Sequence, residues 1–157
     1  MAHSSTSQLL TFVVAGEEFG VDILRVQEIR GWSRPMPLPR TPPYIRGVIN
    51  IRGDIVPIAD LRERLGFDAL EPGLTTVIVV VRVERMQRTR TMGFVVDAMS
   101  DVTAIDSDAV KPPPELDASG GGMASGIALV DHRMITILDV DQVFSSPALA
   151  GDLDAAA

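Results

Sequence analysis

GVINIRGDIVPIADLRERL, Gly47 to Leu65, and GIALVDHRMITILDVDQVF, Gly126 to Phe144, lie on one another without a gap. Gly47 meets Gly126, Ile58 meets Ile137, Asp60 meets Asp139 and Leu65 meets Phe144. Nearly every apolar position in one row is apolar in the other. Each row reads as a hairpin of two apolar arms, followed by an aspartate suited to start a short helix. In the first row Arg52-Gly53-Asp54 makes the turn, and Arg52 sits on the polar side of the strand with Asn50. An arginine there is a solubilising charge, an ion-pair anchor or part of a docking surface.

A second pair precedes the first in the same order. FGVDILRVQEI (Phe19 to Ile29) aligns without a gap on MGFVVDAMSDV (Met92 to Val102), matching Gly20 with Gly93, Val26 with Met99 and Glu28 with Asp101. A strand leads into each, LLTFVVA in one half and TTVIVVV in the other. Chance similarity of short apolar strands rivals either pair alone. Two ungapped pairs in one order favour a duplicated unit. Each half therefore reads as strands, a proline-rich loop or its equivalent, a hairpin and a short helix. Five short strands per half suit a small closed barrel, which leaves no exposed sheet edge. Two barrels too small for a strong core of their own gain stability by packing on each other. The predicted domain spans residues 8–145, with repeats at about 8–70 and 74–145 and flexible termini at 1–7 and 146–157.

Between these pairs the reading is simpler. SRPMPLPRTPPYI (Ser33 to Ile45) is a loop because of its five prolines. Thr75 to Val83 reads as a strand buried on both faces, since its apolar run is continuous. ERMQRTRT reads as a basic hairpin tip, and Lys111 to Gly126 as a mobile loop without regular structure.

The 157 residues are 46% hydrophobic and 22% charged, which predicts a packed interior. Aromatics supply only 4%, so Val, Ile and Leu fill it. The formal charge of −7 argues against nucleic acid or an anionic membrane as the main partner. Thirteen of the fourteen cations are arginine; codon usage explains this more simply than a need for bidentate pairing. With no cysteine there is neither a disulfide frame nor a thiolate metal site. The longest aliphatic run, Val77 to Val81, is too short to span a bilayer, and MAHSSTSQ has no secretory pattern, so a soluble cytoplasmic protein is expected.

Catalysis finds little support. His3 and His132 are the only histidines, no nucleophile has an evident base, and SGGGMASG lacks the lysine of a phosphate loop. No metal or other cofactor is expected. Arg82, Arg85, Arg88 and Arg90 read as a solvated turn in preference to an anion site. The charges that differ between the halves are more informative: Arg52 aligns with Asp131, and a charge present in one repeat only does not serve the shared fold.

FGVDILRVQEIRG, TPPYIRGVINIRGDIVPIADL, MGFVVDAMSDV and GIALVDHRMITILDVDQVF together closely resemble CheW, the bacterial chemotaxis coupling family, from about Gln8 to Ser145. The resemblance implies an all-β fold of two intertwined five-stranded SH3-like barrels around a shared hydrophobic core, with short helices. It implies a non-enzymatic adaptor that bridges the CheA histidine kinase regulatory domain to the cytoplasmic tips of methyl-accepting chemoreceptors. Other CheW copies in rings are implied partners; nucleic acid and direct membrane insertion are not. Its functional positions map to Val26 and Glu28 in VQEI and to Arg52 after the asparagine. A receptor-facing groove maps to Val77, Gly93, Met99 and Val102, with Ile23 beside it. The resemblance leaves open which output the pathway serves, flagellar or pilus-based. A small-ligand-binding barrel is the rival from another class, and it needs a concave pocket with converging polar groups.

Overall fold

The two hairpins exist, and their partners show how the halves are joined. A computed structural model describes residues 6–85, 87–113 and 122–144. The strands are β1 (Thr6–Val14), β2 (Glu17–Asp22), β3 (Val26–Gly31), β4 (Ile45–Ile51), β5 (Asp54–Asp60), β6 (Val77–Arg85), β7 (Arg88–Val96), β8 (Ala98–Asp106), β9 (Val110–Lys111), β10 (Ala124–Val130) and β11 (Arg133–Leu138). Single-turn helices α1 (Leu61–Arg64) and α2 (Val140–Val143) follow the hairpins. Asp60 and Asp139 cap them through side-chain bonds to the Arg62 and Asp141 N–H groups.

One sheet runs β8-β1-β2-β11-β10-β9 and the other β3-β6-β7-β5-β4. Neither belongs to one repeat. The first-half strands β1 and β2 complete the second-half sheet, and β6 and β7 complete the first-half sheet. This corrects one barrel per half and agrees with the intertwined arrangement. The exchange is symmetric. β5 and β7 pair in parallel at Ile58–Gly93, and β11 and β2 pair in parallel at Ile137–Gly20, the positions that the repeat equates.

Burial follows this exchange. Ile49, Ile51, Val56, Ile58, Ile78 and Val80 fill one sheet's interior, and Leu9, Ile105, Ala128 and Ile135 fill the other's. A larger cluster lies between them, including Leu10, Phe12, Val14, Val79, Val81, Val83, Phe94 and Phe144. Strand β6 thus sends alternate residues to two different cores, which is why its apolar run is unbroken. The shared core dominates, so a separated half exposes it. A fragment of residues 6–73 lacks β6 and β7, leaving β3 without its sheet neighbour and β5 paired with β4 alone. We expect it to be insoluble or unfolded; a soluble fragment with a cooperative melt and dispersed amide spectrum would contradict the shared core.

Three expectations change locally. Lys111 ends β9, and Ala124–Gly126 opens β10, so the loop is regular at both ends; residues 114–121 lie outside the described set. The basic tip is shorter than expected, because β6 and β7 stay paired out to Arg85–Arg88. Thr89, Thr91 and Val83 are good strand formers, and they extend the ladder where charge alone suggested a turn. β1 begins at Thr6, two residues before the predicted domain. The other terminal residues, 1–5 and those after Phe144, are outside the described set.

Candidate functional site

Strands β3 and β4 are the two edges of the five-stranded sheet. The Arg52 turn between β4 and β5 and Glu28 on β3 meet across that seam. Arg52 donates to the Glu28 carboxylate at 2.5 Å, and Arg30 approaches its other oxygen at 3.5 Å. The Arg52 side chain stays 74% exposed while that of Glu28 is 24% exposed. The hydrogen bond from Arg52, with the nearby positive charge of Arg30, holds the Glu28 carboxyl below its usual range. Two guanidiniums share one carboxylate. The site therefore keeps positive charge available to an acidic partner.

The other repeat does not copy this arrangement. Asp101, the equivalent of Glu28, accepts from the Thr103 and Thr11 hydroxyls, which lower its pKa. Asp131 occupies the place of Arg52. The ion pair of that half, Glu18 with Arg133, instead joins β2 to β11, and it lowers the Glu18 pKa.

The remaining predicted positions fall in three groups. Ile23, Val26, Val77 and Met99 are half-buried and pack against the margin of the shared core. Val102 is 51% exposed on the edge strand β8. Gly93 is buried, and a Cβ added there would lie 2.8 Å from the Ile58 Cδ1, inside the five-stranded sheet's core. Being buried, it offers no contact surface itself. Arg52 and Glu28 are the only two of the eight that a side-chain hydrogen bond joins among the described residues.

Sequence reasoning missed Arg30, although strict alternation places it two residues after Glu28 on the same face. It also missed Leu24, a 73% exposed leucine in the single 3-10 turn Ile23–Arg25 that precedes β3. Several arginines clasp the halves together. Arg25 pairs with Asp141, Arg62 with Asp97 at 2.5 Å, and Arg64 donates to the Val143 carbonyl at 2.6 Å. Arg82, from the basic cluster, donates to the Leu24 carbonyl.

These carboxylates set an acid limit. Glu18, Glu28 and Asp101 all titrate lower in the folded chain, so each favours folding above its unfolded pKa, roughly 4. That contribution is lost as pH falls through the folded values. Melting temperature should therefore be flat with respect to these groups above about pH 6 and fall below about pH 4.5. Arg133→Met should flatten the fall, as it removes the partner that lowers Glu18; an unchanged acid slope would contradict the assignment.

A cleft of about 500 Å³ lies elsewhere, at one end of the six-stranded sheet, lined by Leu9, Asp22, Ile105, Ser107, Ile137 and Asp139 among others. Asp22 and Asp139 already accept from the Leu24 and Asp141 N–H groups. Each carboxylate commits one oxygen to capping a turn. Among the described residues, no three His, Asp or Glu side chains cluster to hold a metal, and no helix is long and apolar enough to cross a membrane.

Comparison with known proteins finds relatives along nearly the whole chain. The CheW-like domain family matches residues 8–148. The chemotaxis protein CheW of Rhizobium meliloti is 39% identical over 140 residues, covering 88% of each chain. The chemotaxis protein CheW of Klebsiella aerogenes is 35% identical over 144 residues, covering 91% of this chain and 84% of its own. The crystal structure of the scaffolding protein TtCheW from Thermoanaerobacter tengcongensis superposes with a TM-score of 0.80 at 30% identity, over 92% of this chain and 96% of that one. With its repeats, exchanged strands and nearly full-length matches, the chain belongs to the CheW-like family.

Proposed function

We propose that the protein is a chemotaxis adaptor without catalytic activity, coupling methyl-accepting chemoreceptors to the CheA histidine kinase. It acts on the cytoplasmic side of the membrane, recruited to receptor arrays through its partners. The observation that carries this reading is the Arg52–Glu28 pair. It stands at an exposed turn, joins two sheet edges and has no counterpart in the other repeat. A bond needed only to close a barrel would be expected in both halves. Arg52 has five donors and commits few of them to Glu28, leaving the guanidinium able to engage a carboxylate on a receptor helix. Ile23, Val26, Val77 and Met99 supply half-buried apolar ground, and Val102 exposed apolar surface, in keeping with partner contacts that combine anchors with a polar rim.

Titration calorimetry with a receptor-tip fragment and, separately, with the CheA regulatory domain tests the reading. Binding to both is expected. Binding to neither would overturn it, and a receptor-tip affinity unchanged by added salt would remove the electrostatic role of Arg52.

A further inference from the structure

The turn that carries Arg52 is itself held by a side chain. Arg52 and Gly53 both have positive φ, 51° and 92°, and form a two-residue hairpin loop between the paired Ile51 and Asp54. Arginine is disfavoured in this conformation, where asparagine and glycine are usual. The Asn50 Oδ1 accepts the Gly53 N–H at 2.8 Å. That N–H belongs to the Arg52–Gly53 peptide, so the bond fixes the Arg52 ψ and the orientation of the residue's backbone.

The second repeat supplies an internal control. Asp131 and His132 make the same kind of turn, with φ of 46° and 66°, between Val130 and Arg133. Leu129 stands where the first repeat has Asn50, and it carries no acceptor. The hairpin therefore forms without the side-chain bond. Asn50 is exposed and faces Ile55 across the ladder, so it contributes little to packing. Of the two equivalent hairpin turns, its bond coincides with the one that presents a guanidinium to a carboxylate.

We propose that Asn50 is a positioning residue, whose side-chain carbonyl sets the turn from which Arg52 reaches Glu28 and the docking partner. The partner half of this statement rests on the adaptor reading; the Glu28 half does not. The Glu28 carboxyl reports the geometry, since the Arg52 hydrogen bond is the foremost cause of its lowered pKa.

The test uses full-length Asn50→Leu, Asn50→Ser and Arg52→Ala. Carboxyl NMR titration follows Glu28, and calorimetry follows binding of a receptor-tip fragment. Asn50→Leu should melt as the native chain does, because leucine serves the equivalent hairpin. It should raise the Glu28 pKa by at least about half of the rise that Arg52→Ala produces, and weaken receptor binding about fivefold, the factor matching one hydrogen bond of about 1 kcal/mol. Asn50→Ser keeps an acceptor and should restore most of both. A Glu28 titration unmoved by Asn50→Leu overturns the proposal. A Glu28 pKa that rises equally in Asn50→Ser and Asn50→Leu overturns the acceptor role. If Asn50→Leu does not fold, the hairpin itself needs Asn50, and the proposal fails. If Glu28 shifts as expected while neither Asn50→Leu nor Arg52→Ala weakens binding, positioning holds and the docking role of Arg52 fails.

Discussion

Gly47→Ala is expected to destabilise the native fold severely. Gly47 has φ of 140°, a conformation that side-chain-bearing residues rarely adopt. A Cβ there would fall 2.0 Å from the Met36 carbonyl oxygen and 2.5 Å from its carbon. Both atoms are backbone, and Met36 is tied to Val48 by a bridge with bonds of 2.9 Å in each direction. No rotamer change relieves such an overlap. Strand β4 or the proline loop must move, and either shift breaks the bridge. Backbone strain and overpacking together cost about 3–5 kcal/mol, a large part of a typical domain's stability. Gly31→Ala is the control, since its added Cβ meets nothing within 4 Å and its backbone is extended. Urea titration of the two variants decides the matter. A midpoint for Gly47→Ala within error of Gly31→Ala would show that the loop crossing is not tight.

The second large effect is on association. Arg52→Glu should melt within a few degrees of the native chain, yet fail to join receptor–kinase complexes. The exposed ion pair contributes little to stability, because solvent screens it. At an interface the same change replaces a multi-donor cation by a carboxylate that repels an acidic partner and Glu28 alike. A hot-spot loss of about 2 kcal/mol or more corresponds to at least about thirtyfold weaker binding. Glu28→Arg in the same chain should restore part of that loss if the pair is reciprocal. Global unfolding of Arg52→Glu, or unchanged receptor binding, would remove the docking role.

The hairpins, the helix starts and the repeat were legible because each rests on local chemistry. Gly47 marks a position that backbone geometry restricts, Asp60 and Asp139 mark the helix caps, and alternating aliphatics mark the inward faces. The strand exchange was not legible from the residues alone. Periodicity reports that a residue is buried, not against which sheet, and only the two-sided burial of β6 hinted at two cores. The mobile-loop reading failed at Lys111 and at Ala124–Gly126, where proline and glycine density outweighed two short pairings that neighbouring strands impose. At the candidate site, the sign change between Arg52 and Asp131 singled out Arg52, and the structure pairs it with Glu28. Arg30 and Asn50 carried signals of spacing that went unused. Gly93 entered through family resemblance, and no residue pattern distinguishes a glycine beneath a surface from one upon it.

Coupling is the central claim, and kinase autophosphorylation measures it directly. CheA and receptor fragments are assayed together, with the native chain, with Arg52→Glu and with neither. The account predicts that receptor fragments change the autophosphorylation rate only when the native chain is present. An equal receptor effect in the absence of the protein, or an undiminished one with Arg52→Glu, would contradict it.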